Sequence, residues 1–219
     1  MRPRVADHLV ARIHANHDLL GTGFLGTPYL LAVLTDTGHA DLAYHLLLNT
    51  AYPSWGYLVG HGATTMWERW NGDQMKGDPS MNSYNHYAYG AVADWIYRYA
   101  AGVDATPADA GFHTVLLHPV FSERLGSIDF RYASAYGQIH SAWAITSGKA
   151  LWTITLPANT TGELRLTSAE AAHYHLNGKT LSVAAAEQGS GVRQKTAGNE
   201  AADFTLAAGS YSFVVDSVR

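Results

Sequence analysis

The sequence predicts an α+β chain in two parts, helices first and an antiparallel β-sandwich after, and three observations carry that reading. Apolar residues recur at helical spacing up to about residue 103. After Gly102, short turn-bounded runs take over, and several of them alternate in period two. Between the two, the stretch from Asp104 to Gly111 is rich in small and turn-forming residues and reads as a junction. The helical part is therefore set at 1–103 and the sandwich at 111–219.

In the first part, Val5, Leu9, Val10 and Ile13 give a first helix. A second is expected from Thr27-Pro28, with Thr27 as N-cap and Pro28 in the first turn, where a missing N–H costs nothing. Leu30, Leu31, Val33 and Leu34 follow, and Gly38 is the expected stop. A third helix spans Ala40 to Asn49, and a fourth is expected over 84–101, carrying Trp95, Ile96, Tyr97 and Tyr99. These helices, several apolar on more than one face, do not close a core by themselves, which predicts an incomplete helical domain.

In the second part, strands are expected at Thr114–Leu117, Ser127–Tyr132, Gly137–Trp143, Leu151–Leu156 and Tyr211–Val215. Asn177-Gly178 signals a tight hairpin, because both central residues of that turn need positive φ. The polar stretch 189–200 is expected to be a mobile loop.

Composition narrows the function classes. Hydrophobic residues make up 47% and charged residues 15%, an ordinary globular balance. The net charge of -4 comes without clustered Lys or Arg, which argues against nucleic acid and anionic membrane surfaces as partners. No run approaches the ~20 apolar residues that span a bilayer, and the first residues lack a secretory apolar run, so a cytoplasmic protein is the expectation. Without cysteine there are no disulfides and no thiol nucleophile.

Several motifs are weaker than they look. Gly21-Thr22-Gly23-Phe24-Leu25-Gly26 matches G-x-G-x-x-G, but a helical segment precedes it where a dinucleotide site needs a strand. The 12 histidines include no H-E-x-x-H pair, and no metal or other cofactor is expected. No G-x-S-x-G elbow selects a serine. The richest constellation runs from Tyr52 to Tyr89. Within it, Glu68 lies between Trp67 and Trp70, and His86 lies in the polar-aromatic run 82–87. Aromatic faces pack on the C–H faces of sugar rings, and a carboxylate among them can act as a general base toward water. The same residues also fit a core with Glu68 serving Arg69 or a helix start.

The segments Thr22–Leu31, Asp41–Tyr44, Tyr52–Tyr57, Ala63–Trp70 and Asn85–Val92, in that order, resemble glycoside hydrolase family 78, the bacterial α-L-rhamnosidases. The likeness runs to about residue 145. It implies a partial (α/α)6 barrel, its last helices, followed by a C-terminal β-sandwich. It implies an inverting hydrolase of terminal α-L-rhamnosyl residues, with Glu68 as catalytic base and His86 at the sugar. Trp55 and Trp67 are its expected pocket walls. The family's general acid belongs to an earlier part of its barrel, and no segment here matches it. Asp73 and Asp78 are the nearby carboxyls that could stand in. The expected partner is a rhamnose-containing glycoside or oligosaccharide, and the open helical face suggests a homodimer. The alternatives are a carbohydrate-binding remnant without catalysis, or a hydrolase of esters or lactones using the open cleft.

Overall fold

The computed structural model describes residues 2–81, 83–106, 109, 111–181, 190–197, 201–216 and 218. Asn82, three junction residues (107, 108 and 110) and, from the expected loop, 189 and 198–200 lie outside the described residues. The chain forms two compact units, Met1–Trp95 and Ile96–Arg219.

The first unit is helical, with α1 (Arg2–Ala15), α2 (Thr27–Asp36), α3 (Ala40–Leu48), α4 (Trp55–Gly60), α5 (Tyr87–Gly90) and α6 (Val92–Trp95). Its core is built from Leu30, Leu31 and Leu34 of α2 and Ala43, Tyr44 and Leu46 of α3, all buried. Burial holds the Tyr44 phenol far above its ordinary pKa. The Trp95 ring meets the Tyr44 ring edge-on at 4.9 Å, and its Nε1–H donates to Thr35 Oγ1 at 3.0 Å. One side chain thus ties α6 to both α2 and α3. Helix α2 stops where expected. Gly38 takes φ +87, and the following amide, His39 N, returns to Leu34 O at 2.8 Å.

Two helix expectations need correction. Gly26, not Thr27, is the N-cap of α2; Thr27 is its first residue, and the buried Thr27 hydroxyl donates back to Thr22 O at 3.1 Å. The expected helix over 84–101 is broken. Its start is drawn into an extended pairing with the chain around residue 66, and His86 caps a new short helix. Past α6 the chain widens into a π-turn over Ile96–Ala100, closed by Ala101 N to Ile96 O at 2.8 Å.

The second unit is a two-sheet sandwich. Its strands are β1 (Val103–Ala105), β2 (Thr114–Leu117), β3 (Ser127–Ser134), β4 (Gly137–Thr146), β5 (Lys149–Leu156), β6 (Thr161–Thr167), β7 (Tyr174–Leu176), β8 (Lys179–Thr180), β9 (Val192–Ala197), β10 (Ala201–Leu206) and β11 (Gly209–Val215). One sheet runs β1-β2-β6-β10-β9 and the other β3-β4-β5-β11-β7-β8. A short helix, α7 (Ser168–Ala171), follows β6. The inward rows (Trp143, Trp152, Ile154, Leu164, Phe204 and Phe213 among them) form one buried core. Its main polar group, Ser141, is satisfied on both sides. It donates to Ala101 O at 2.7 Å and accepts from Trp152 Nε1 at 3.0 Å, while Trp143 Nε1 donates to Ala100 O at 2.8 Å.

Among the described strands, pairing is antiparallel with one exception. β2 and β6 pair in parallel, because the chain leaves β2, builds β3-β4-β5 in the other sheet and returns in the same direction. The hairpin at Asn177-Gly178 forms as expected, with φ +54 and +76. The expected loop at 189–200 is instead strand β9 over its middle. β9 is an edge strand, and its exposed Arg193, Gln194 and Lys195 are the polar residues that made it read as a loop.

Helix α7 opens on a complete capping box, Thr167 with Glu170. His118 Nε2 lies 3.4 Å from the Glu170 carboxylate, and the Thr167 backbone and hydroxyl donate to it at 2.7 and 2.8 Å. Together they pull its pKa from 4.5 down to about 2, with His118 the largest cause and partial burial opposing. A carboxyl whose folded pKa is depressed stabilises the fold fully above its unfolded pKa. That contribution drains as pH falls from about 4.5 toward about 2. Glu170→Gln should therefore lower the melting temperature at neutral pH and flatten the acid limb of a stability-versus-pH curve across that window.

Candidate active site

Glu68, Trp67 and His86 lie in two irregular segments of the helical unit, and Trp55 opens α4. The two segments are laced by main-chain bonds. His86 N donates to Met66 O at 2.7 Å and Glu68 N to Ser83 O at 3.1 Å, and the Thr65 hydroxyl donates to Tyr84 O. This pairing fixes the register of Glu68 against His86. The Glu68 side chain is half-buried, and its Oε2 is shielded from solvent. Its neighbour Arg69 reaches away, donating to Ser80 O at 3.1 Å.

An aromatic column lies beneath the laced segments. Trp70 stacks on Tyr89 at 3.9 Å, and Trp55 meets Trp70 edge-on at 5.6 Å. Trp55 Nε1–H donates to Tyr89 O at 2.9 Å, joining α4 to α5. Phe24 continues the column, edge-on to Tyr89 at 5.2 Å and stacked on His86 at 4.8 Å. Trp67 packs edge-on to Tyr84 at 6.0 Å. Both expected wall residues, Trp55 and Trp67, are only 7% exposed, so they support the site with their bulk and offer a ligand an edge at most. Gly72 belongs to the same packing, because a Cβ there would stand 2.7 Å from the Trp67 ring.

The two stand-in acids differ. The Asp78 carboxylate accepts the Ser80 amide at 2.8 Å, and this bond is the main reason its pKa lies below the ordinary range, the wrong direction for a group that must deliver a proton. Asp73 accepts the Tyr57 hydroxyl, at 3.1 Å to the nearer oxygen, and Gln74 donates to the same hydroxyl at 3.3 Å. Tyr57 in turn stacks on His61 at 3.8 Å. Among the described residues no group of three or more His, Asp or Glu side chains is placed to hold a metal. No described helix is long and apolar enough to cross a membrane.

Trp70 was named by sequence only as a neighbour of Glu68, and Tyr89 and Phe24 were given no role, although each stands in a segment that was singled out. Residue spacing names the aromatic residues but cannot tell which ring lies beneath a loop and which faces a ligand.

Residues 1–100 match the family described as the bacterial alpha-L-rhamnosidase 6 hairpin glycosidase domain, and residues 102–180 match the bacterial alpha-L-rhamnosidase C-terminal domain. An alpha-L-rhamnosidase of Streptomyces avermitilis is 47% identical over 167 residues, 75% of this chain and 16% of that protein. One of Formosa agariphila is 41% identical over 161 residues, 72% of this chain and 17% of that protein. The chain therefore spans about a sixth of the length of the curated relatives it matches. Among solved structures, the Streptomyces avermitilis alpha-L-rhamnosidase complexed with L-rhamnose superposes with TM-score 0.78 at 39% identity, covering 98% of this chain and 20% of that one. The alpha-L-rhamnosidase of Dictyoglumus thermophilum gives 0.75 at 27% identity, covering 96% and 23%.

The Trp67–Gly72 contact yields a direct test of the packing. Gly72→Ala should push the indole aside, costing about 1–3 kcal/mol as overpacking does. The expected readouts are a lower denaturant midpoint and a changed near-ultraviolet circular dichroism band; an unchanged protein would mean Trp67 does not sit where described.

Proposed function

This chain belongs to the bacterial α-L-rhamnosidase family, and from that premise we propose that its helical unit carries the water-activating half of an inverting α-L-rhamnosidase site. Glu68 is the general base. It takes a proton from a water whose oxygen attacks the anomeric carbon on the face opposite the aglycone, while the bond to the aglycone oxygen breaks. His86 binds the sugar, and the buried Trp55 and Trp67 support the site with their bulk, reaching the sugar by an edge at most. The observation that carries this reading is the main-chain lacing that holds Glu68 and His86 in fixed register over the aromatic column.

The departing oxygen needs a proton from a second carboxylic acid. We assign that acid to neither Asp78, which is held ionised, nor Asp73, which is engaged by Tyr57. The chain should consequently bind rhamnosides and act mainly on those that leave without help. Residues 1–103 form the partial barrel in this reading and 111–219 the sandwich. A cytoplasmic location is retained, in keeping with a chain that has no cysteine.

An aryl α-L-rhamnoside with a strongly acidic phenol isolates the base, because its leaving oxygen needs no proton. Glu68→Gln should slow that hydrolysis by about 10²–10⁴-fold while L-rhamnose binding persists. Hydrolysis that survives Glu68→Gln, or is lost instead on a serine substitution, would sink the reading and favour ester or lactone chemistry.

The open face of the helical unit fits a second copy. Leu25, Tyr29 and Val33 are 91%, 68% and 41% exposed, and Tyr29 and Val33 lie one turn apart on α2, opposite its buried leucines. Sedimentation should find a dimer that Tyr29→Glu converts to monomer; a stable monomer of the unmutated chain would refute this face as the interface.

A further inference from the structure

The glycine-rich loop, residues 21–26, was left without a role once the dinucleotide reading failed. Its shape gives it one. The loop is closed on itself, with Gly26 N and Thr27 N both reaching Gly23 O, at 3.1 and 2.9 Å, and the Thr22 and Thr27 hydroxyls joined at 2.9 Å. At its tip the Phe24 ring is 40% exposed, and it lies within 18° of parallel to the His86 imidazole at 4.8 Å. A phenylalanine left this exposed at the tip of a braced, glycine-rich loop gives little burial energy; its ring meets the histidine and Tyr89.

The other side of the argument is the imidazole itself. His86 caps α5, and its Nδ1 accepts the Ala88 amide at 3.2 Å. A nitrogen that accepts an N–H carries no proton, so neutral His86 holds its proton on Nε2. That arrangement lasts only while Nδ1 stays on the Ala88 amide, and a twist of the ring out of its present plane would carry the Nδ1 lone pair off that N–H and weaken the cap. The backbone bond selects the atom and holds the ring plane only loosely; two near-parallel aromatic faces add to it, Tyr87 at 5.6 Å from the adjacent position and Phe24, the nearer at 4.8 Å, from the loop.

We infer that Phe24 is a positioning residue for His86: the loop holds its ring against the imidazole so that Nε2–H is kept as the outward hydrogen-bond donor. Phe24 does not itself touch the reacting atoms. Extending this to a sugar hydroxyl as the group that receives the Nε2–H bond rests on the rhamnosidase reading, whereas the coupling between the two rings does not.

The experiment follows the His86 ring nitrogens and the Ala88 amide by NMR in this chain, without ligand. It compares the parent with Phe24→Ala, Phe24→Leu and Phe24→Tyr. Loss of the flat ring in the alanine and leucine variants should shift the Nδ1 and Nε2 resonances toward exchange-averaged values and speed Ala88 amide exchange about tenfold, the size of one stacked aromatic contact. The tyrosine variant should restore the parent pattern. Unchanged nitrogen shifts in the alanine variant would overturn the inference. So would a leucine variant that keeps the parent pattern, since a purely structural role tracks apolar bulk and not ring planarity. A parallel titration with L-rhamnose separates the two readings. If the nitrogens respond to Phe24 but L-rhamnose binds to none of the proteins, the positioning role stands and the sugar reading fails. If L-rhamnose binds, Phe24→Ala should weaken it about tenfold in the parent and not at all in a His86→Ala background.

Discussion

The stack of Trp70 on Tyr89 is the constraint on which the candidate site depends. Among the described residues between α4 and α5 the regular structure is a single 3-10 turn at Gly72–Gln74. A loop of that length must be pinned, or the entropy of its many conformers dominates. The pin is aromatic. Trp70 comes from one segment and Tyr89 from the other, and their rings lie 3.9 Å apart. With the rings in contact, the backbone bonds of His86 to Met66 and of Glu68 to Ser83 give the carboxylate and the imidazole a fixed register. Polar function is thus carried on an apolar footing, as expected where a few directional groups must be held still.

The sandwich meets the same problem by a different route. Its aromatic core would leave indole N–H groups without partners in an apolar interior, which is costly. Ser141 and the carbonyls of Ala100 and Ala101 absorb them. Those two carbonyls belong to the chain entering the unit, so satisfying the tryptophans also anchors the entering strand. The capping box at α7 and the Glu163 carboxylate with its two cations, Arg165 and Lys195, add surface order at modest gain.

Sequence reading was strongest where hydrophobic period and turn chemistry agree. Helix α3, the stop at Gly38, the Asn177-Gly178 hairpin and the five strongest strands were all legible. It failed where tertiary partners overrode local preference. The run from Tyr84 to Ala101 is helical by pattern, but its first residues pair with the segment around Met66 and leave the helix. β9 is polar because it lies on an edge, and polarity without burial reads as loop. At the site, Glu68 and His86 could be named because a resemblance in ordered motifs pointed to them. The rings beneath them could not, since a tryptophan in a motif has the same letter whether it faces a sugar or a core. The pairing of Phe24 with His86, distant in sequence, leaves no periodic trace at all.

The parallel register of β2 against β6 reaches beyond architecture into the order of synthesis. While the chain emerges, β1 and β2 can form only a two-stranded ribbon, too small to be stable in water. The neighbour that completes β2 does not exist until β3, β4 and β5 have been made and have turned back. Through that interval the free edge of β2, with buried-type Val115 and Leu117 on one face, is a strand-hungry surface. The sandwich therefore carries an exposed strand edge during translation that neither its final burial nor its final hydrogen bonding reveals, and residues 118–160 must be made before it can be closed.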